Sequence, residues 1–150
     1  MSKIYIGADS AGFEMKEMLK AYLAEAGHET VDVGTDSTAS CHYPIFAAAV
    51  ARGVQKDEGA LGILVCGTGI GMSMTANKFR GIRAAVCGDT FSARMTRMHN
   101  DANILCLGAR VIGPGLARDI TDLFVSTPFE GGRHAIRVDM IGAIEDGKEI

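Results

Sequence analysis

Short runs rich in branched apolar residues alternate along the chain with longer amphipathic stretches. This alternation is typical of parallel strands joined by crossover helices. It predicts five strands, at Lys3–Gly7, Thr30–Val33, Leu61–Val65, Ile82–Val86 and Asn103–Leu107. It predicts six helices, at Gly12–Ala26, Pro44–Gln55, Gly71–Lys78, Thr90–His99, Pro114–Val125 and Arg133–Glu145. We therefore expect a three-layer α/β/α sandwich with a Rossmann-like five-stranded parallel sheet, built as one domain over residues 1–150.

Composition narrows the function classes. The chain has 150 residues, of which 47% are hydrophobic and 22% charged, and this suits one globular domain. Its formal net charge of −3 argues against a nucleic-acid or anionic-membrane surface. The start, Met1-Ser2-Lys3-Ile4, lacks the apolar core of a signal peptide, and no apolar run approaches the roughly 20 residues that span a bilayer. We expect a cytoplasmic protein with no nucleic-acid or membrane partner.

The four cysteines are scattered and form no C-x-x-C pair. This spacing disfavours a zinc site and a disulfide framework, so free thiols and no bound metal are expected. Cys66 differs from the others because it follows an apolar run and opens a glycine-rich loop. Gly67, Gly69 and Gly71 let the backbone approach a ligand closely and turn its N–H groups toward negative charge. The loop therefore predicts an anion site with a thiol beside it, and an ordinary core cysteine is the alternative.

A nucleotide is a second candidate ligand for the same loop. Asp89 follows the next predicted strand at a distance suited to a ribose hydroxyl. However, the third glycine of the dinucleotide fingerprint would fall at Met72, and the G-K-[ST] element of a phosphate loop is missing. Nucleotide binding is therefore the less favoured interpretation.

Three arginines are candidates for holding a phosphate. Arg133 and Arg137 are four residues apart at the start of a predicted helix, so they share one face. Arg110 follows the fifth predicted strand. Guanidinium groups match phosphate oxygens with paired hydrogen bonds, so we predict that all three contact one phosphate. Solvated surface arginines are the alternative.

Six segments occur together in one order along the chain: Cys66-Gly67-Thr68-Gly69-Ile70-Gly71, Ala76-Asn77-Lys78, Gly81-Ile82-Arg83-Ala84, His99-Asn100-Asp101, Gly108-Ala109-Arg110 and Glu130-Gly131-Gly132-Arg133-His134. Together they resemble the type B ribose-5-phosphate isomerase family, which includes galactose-6-phosphate isomerase subunits and allose-6-phosphate isomerases. The resemblance runs from Lys3 to about Ile144. It implies interconversion of phosphorylated aldoses and ketoses without a metal or organic cofactor.

The resemblance also implies roles for individual residues. Cys66 would be the base that removes the proton next to the carbonyl, Thr68 would relay a proton between the two sugar oxygens, and His99 would open the sugar ring. A histidine that only interacts with free carbonyls at a helix end is the alternative for His99. The expected substrate-binding residues are Asp9, Ser10, Tyr43, Gly67, Gly69, Ile70, Gly71, Asn100, Arg110, Arg133 and Arg137.

One position departs from the family pattern. The family usually has Asp-His after the first strand, and this chain has Asp9-Ser10. This departure leaves the identity of the preferred phosphosugar undecided, and the candidates have four, five or six carbons. A non-catalytic or heteromeric sugar-phosphate-binding subunit is the alternative to an enzyme. The resemblance further implies a homodimer or a dimer of dimers whose active sites are shared between chains.

Overall fold

The computed structural model describes residues 2–150 as strands alternating with helices. The strands are β1 (Lys3–Ala8), β2 (Glu29–Asp32), β3 (Leu61–Cys66), β4 (Ala84–Val86) and β5 (Ile104–Gly108). The helices are α1 (Phe13–Glu25), α2 (Tyr43–Lys56), α3 (Ile70–Ala76), α4 (Thr90–Asn100), α5 (Pro114–Ser126) and α6 (Arg133–Glu145). The expected α/β architecture with five strands and six helices is confirmed.

All strands of the sheet are parallel, in the order β2-β1-β3-β5-β4. The chain leaves β1 toward one edge to form β2 and then returns to the other side of β1 to form β3. The loops after β1 and β3 therefore meet at a topological switch point, where ligands bind in sheets of this kind. This arrangement places Asp9 and the glycine loop next to each other at the carboxyl edge of the sheet.

Apolar side chains cover the sheet on both faces. One core cluster joins strand residues to α1, α4 and α5, and includes Leu19 and Phe124, both fully buried. The other joins the opposite face to α2 and α3 and includes Val50 and Met72. Cys66 belongs to this second cluster. Its thiol therefore lies on the α2/α3 side of the sheet, where those helices exclude water.

The observed element bounds lie within two residues of the sequence expectation. The largest shifts, of two residues, are at the end of α3, from Lys78 to Ala76, and at the start of β4, from Ile82 to Ala84. The N–H of Ile82 donates to the carbonyl of Phe79 at 3.1 Å, and that of Arg83 donates to Asn103 Oδ1 at 2.8 Å. These bonds close a turn, so the ladder begins later. Within residues 2–150, no helix has the length and apolar character that crossing a membrane requires.

Candidate active site

Cys66 ends β3 and is only 6% exposed. Its Sγ accepts a hydrogen bond from the N–H of Gly69 at 3.1 Å. Gly69 has φ +80°, and a Cβ there would lie 3.0 Å from the carbonyl carbon of Leu107. Both the conformation and the close contact require glycine. The N–H of Gly69 is therefore directed at the sulfur.

The loop after Cys66 is joined to the end of β5. The N–H of Ala109 donates to the carbonyl of Cys66 at 2.8 Å, and that of Arg110 donates to the carbonyl of Gly67 at 3.0 Å. The Arg110 side chain lies over Gly67, with its Cδ 3.6 Å from where a Cβ would be. Thr68 is exposed, and its Oγ1 accepts from the N–H of Ile70 at 3.2 Å. A guanidinium and a hydroxyl therefore reach the open side of the loop.

Asp9 and Tyr43 come to the same edge from other elements. The N–H of Asp9 donates to the carbonyl of Val65 at 3.2 Å, and its Oδ1 accepts from the N–H of Gly12 at 3.0 Å. The Tyr43 ring lies 2.6 Å from where a Cβ on Gly71 would be. We call this set the carboxyl-edge group; its members are Asp9, Ser10, Tyr43, Cys66, Gly67, Thr68, Gly69, Ile70, Gly71 and Arg110.

Other predicted site residues gather around the end of α4 and the start of α6. The rings of His99 and His134 stack with centroids 4.1 Å apart and planes 11° apart. Burial lowers the pKa of His134, and the nearby His99 and Arg133 act in the same direction. Both rings line a cavity of about 540 Å³ together with Asn100, Arg133 and Arg137. We call His99, Asn100, Arg133, His134 and Arg137 the amino-edge group.

The last turn of α4 is fixed by a residue that the sequence analysis gave no role. The guanidinium of Arg83 donates to the carbonyls of Asn100 and Asp101, each at 2.9 Å. Asp101 has φ +46° and ends the helix. His134 was also missed, because only the fold brings it to His99. Arg83 lies in a segment that carries the family resemblance, and that segment was the available signal for its importance.

The two groups lie at opposite edges of the sheet within one chain. In the register of β3 and β5, Gly62 pairs with Ile104 and Cys66 pairs with Gly108. His99 precedes Ile104 and therefore lies at the amino edge. Gly62 and Cys66 lie four positions apart on β3, so the two edges of the sheet are separated by roughly 13 Å along the strand.

The three arginines therefore do not come together within a single chain, and their contact with one phosphate stays a prediction for a site shared between two chains. Arg110 follows β5 at the carboxyl edge, and Arg133 begins α6 at the amino edge. The physical reason is that a crossover helix runs antiparallel to its strands, so the ends of α4 and α5 lie opposite the end of β5. The N–H of Glu130 donates to the carbonyl of Met98 at 3.1 Å, which holds the start of α6 beside the end of α4.

Asp89 has a structural role. It is the N-cap of α4: its carboxylate accepts from the N–H of Ser92 at 2.6 Å and from the Ser92 hydroxyl at 2.9 Å. Both carboxylate oxygens are therefore engaged by the helix start. Asp89 therefore caps a helix, and the residue that the nucleotide interpretation expected to bind a ribose hydroxyl is used elsewhere.

Comparison with known proteins identifies the family to which the chain belongs. The family model described as Ribose/Galactose Isomerase matches residues 4–141. The chain belongs to the ribose/galactose isomerase family. Its similarity to ribose-5-phosphate isomerase B of Escherichia coli is 48% identity over 145 residues, covering 97% of each chain. A family member described as D-erythrulose-4-phosphate isomerase, from Pectobacterium atrosepticum, is 44% identical and covers 97% of this chain and 96% of its own.

Solved structures of the family superpose closely on this chain. The ribose-5-phosphate isomerase B of Clostridium thermocellum has a TM-score of 0.95 at 50% identity, over 97% of this chain and 98% of its own. That of Mycoplasma genitalium, solved with bound ribulose 5-phosphate, has a TM-score of 0.93 at 38% identity and covers 96% of each chain. The expected family and fold are confirmed.

Proposed function

We propose that this chain is a cofactor-independent aldose–ketose isomerase that interconverts ribose 5-phosphate and ribulose 5-phosphate. One observation carries the proposal: in a chain of this family, Cys66 presents its sulfur at the ligand edge of the sheet with a backbone N–H aimed at it. Isomerisation needs a base at carbon, stabilisation of the enediolate, and proton transfer between two oxygens. The residues of the two groups supply each of these.

The chemical steps assign a role to each group. The Cys66 thiolate removes the proton from C2 of the open-chain aldose and returns it to C1 of the enediolate, which yields the ketose. The exposed Thr68 hydroxyl moves a proton between the oxygens on C1 and C2. His99 opens the cyclic sugar by transferring a proton between the anomeric hydroxyl and the ring oxygen. Arg133 and Arg137 bind the phosphate, and Asp9 and Asn100 bond sugar hydroxyls.

A complete site of this kind needs two copies of the chain. The carboxyl-edge group and the amino-edge group lie at opposite edges of one sheet, so one copy does not bring Cys66 to His99. Both regions also expose apolar side chains: Ile70 is 50% and Met74 64% exposed on α3, and Ile136 is 64% exposed on α6. A homodimer, or a dimer of dimers, that packs the α6 side of one copy against the α3 side of another buries these residues.

The test of activity uses the purified chain alone. We expect conversion of ribose 5-phosphate to ribulose 5-phosphate, with exchange of the C2 hydrogen into solvent, and full turnover after dialysis against EDTA. Binding of the phosphosugar with no hydrogen exchange would establish the non-catalytic subunit instead. Exchange that appears only after addition of another protein would establish a heteromeric enzyme.

The shared site has its own test, because two inactive variants can complement each other. Cys66→Ala and His99→Asn should each turn over ribose 5-phosphate very slowly, and unfolding and refolding them together should produce mixed dimers. Each mixed dimer has one intact site, so the mixture recovers about a quarter of the wild-type turnover if pairing is random. Each variant refolded alone is the control. A mixture no more active than the two separate variants would show that each site lies within one chain.

A different phosphosugar is the second candidate, and Ser10 motivates it. Ser10 follows Asp9 at the carboxyl edge and is half-buried. Its short hydroxyl leaves more room than the imidazole that the family usually has there. Turnover should be compared across four-, five- and six-carbon phosphosugars before and after Ser10→His. We expect the variant to favour ribose 5-phosphate by about 1.5–3 kcal/mol if a charge-assisted hydrogen bond is restored. An unchanged ranking would show that Ser10 does not set specificity.

A further inference from the structure

Two imidazoles and a carboxylate meet beside the amino-edge cavity. One ligand atom from each of His99, Glu130 and His134 lies within 4.8 Å of the other two. Nε2 of His134 is already 3.6 Å from Oε2 of Glu130. The backbone N–H of Glu130 donates a hydrogen bond to the carbonyl of Met98 at 3.1 Å. This bond joins the two segments that carry these side chains. The backbone segments that carry the cluster are therefore fixed relative to each other.

The donor set suits a transition metal. Two histidines and a glutamate with an open fourth position occur in catalytic zinc sites. Zinc–nitrogen bonds require ligand atoms about 3.4 Å apart in a tetrahedral site. The two rings must therefore tilt out of their stack by rotation about χ2, a soft torsion, so that their lone pairs converge.

The surrounding charges select the kind of metal. Arg133 and Arg137 line the same cavity and repel a cation. The carboxylate of Glu130, beside His134, offsets one of these charges. Hard cations such as Mg²⁺ gain little from imidazole and are disfavoured here. Zn²⁺, Ni²⁺ and Cu²⁺ form strong bonds to imidazole nitrogen and tolerate this environment better. The affinity should still be lower than in a structural zinc site with four protein ligands.

We propose that His99, Glu130 and His134 form an inhibitory binding site for zinc and related transition-metal ions. Metal bound there occupies a nitrogen of His99 and places a cation in the cavity that serves the sugar phosphate. The ring of the substrate then stays closed and turnover stops. The inhibition rests on the proposed function, whereas the metal binding does not.

Metal binding is tested first, by calorimetric titration of the metal-free full-length protein with ZnCl₂. Glu130→Gln and His134→Asn should each weaken zinc binding about tenfold or more. His42→Asn is the matched control, because His42 is an exposed histidine outside the cluster and its loss should leave the affinity unchanged. Cys66→Ala should also retain zinc binding, and MgCl₂ should give no saturable heat. Unchanged zinc affinity in both cluster variants would overturn the site.

Inhibition is tested with Glu130→Gln, since Glu130 is exposed and has no part in the proposed chemistry. Zinc should inhibit the wild-type enzyme, and EDTA should restore its turnover. The variant should keep its metal-free turnover and require about tenfold more zinc for the same inhibition. Equal zinc sensitivity of both enzymes, or no inhibition at saturating zinc, would overturn the inhibitory role. A metal-free wild-type chain without turnover would contradict the proposed function, and the titration would still decide the site.

Discussion

The carboxyl-edge group and the amino-edge group are built in different ways. At the carboxyl edge, backbone N–H groups and close-packed glycines position one buried sulfur. At the amino edge, side chains of two helices line an open cavity, and only His134 among them is buried. Proton removal from carbon needs preorganised dipoles that do not move during the reaction. Phosphate capture needs charge and reach, which exposed arginines provide.

The two regions therefore differ in how they respond to substitution. A change in the carboxyl-edge group alters the backbone that holds the sulfur, so its effect should appear in kcat. A change in the amino-edge group removes one side chain from a cavity, so it should act on substrate binding or on ring opening. Substitutions in each group test this division.

Cys66→Ala should lower kcat by about 10²- to 10⁴-fold, because it removes the base from carbon. Binding of ribose 5-phosphate should change little, since Cys66 carries no phosphate contact. The measurements are steady-state turnover, calorimetric substrate binding and far-UV circular dichroism. Cys41→Ala is the matched control, because Cys41 is a free cysteine in a loop. A variant at position 66 with near-normal turnover would remove Cys66 from the mechanism.

His99→Asn should reduce turnover of the cyclic aldose by about 10²-fold, because a proton-transfer group is lost. Ribulose 5-phosphate has no furanose form, so hydrogen exchange at C1 of the ketose should be nearly unaffected. Pre-steady-state exchange on each substrate separates the two effects, since the overall equilibrium fixes the ratio of steady-state efficiencies. Equal losses on both substrates would assign His99 to a different step.

Gly69→Ala should destabilise the fold by about 1–2 kcal/mol, because alanine is unfavourable at positive φ. Turnover should fall on the order of tenfold, since the loop must shift away from Leu107 and the N–H bond to Cys66 lengthens. Gly115→Ala is the matched control, because a Cβ there meets no atom within 4 Å. Urea unfolding and steady-state turnover test both effects. A Gly69→Ala variant as active and stable as the control would contradict the importance of the loop geometry.

Arg137→Ala should raise KM for ribose 5-phosphate about five- to tenfold and leave kcat within about twofold, because it removes binding shared by the ground state and the transition state. Arg118→Ala on α5 is the matched control, an exposed arginine outside the cavity. The comparison is repeated with unphosphorylated ribose, on which Arg137→Ala should have little effect. Similar losses on both sugars would show that Arg137 supports the fold rather than the phosphate.

The sequence predicted most of the fold because its signals are local. Short branched apolar runs and longer amphipathic stretches predicted every strand and helix to within two residues. At β4 the start shifted because a distant side chain intervened: Asn103 accepts the N–H of Arg83 before the ladder begins. The loop after Cys66 could also be predicted from the sequence, because closely spaced glycines indicate an unusual backbone conformation directly.

Only the tertiary structure decided how the candidate site residues are grouped. The strand order β2-β1-β3-β5-β4 and the antiparallel crossover helices separate Arg110 from Arg133 and Cys66 from His99. The same topology stacks His134 on His99, although 35 residues of sequence separate them. Such groupings depend on packing between segments that are distant in sequence, and no local sequence pattern encodes that packing. The sequence determined which chemical groups this protein has, and the fold decided which of them meet.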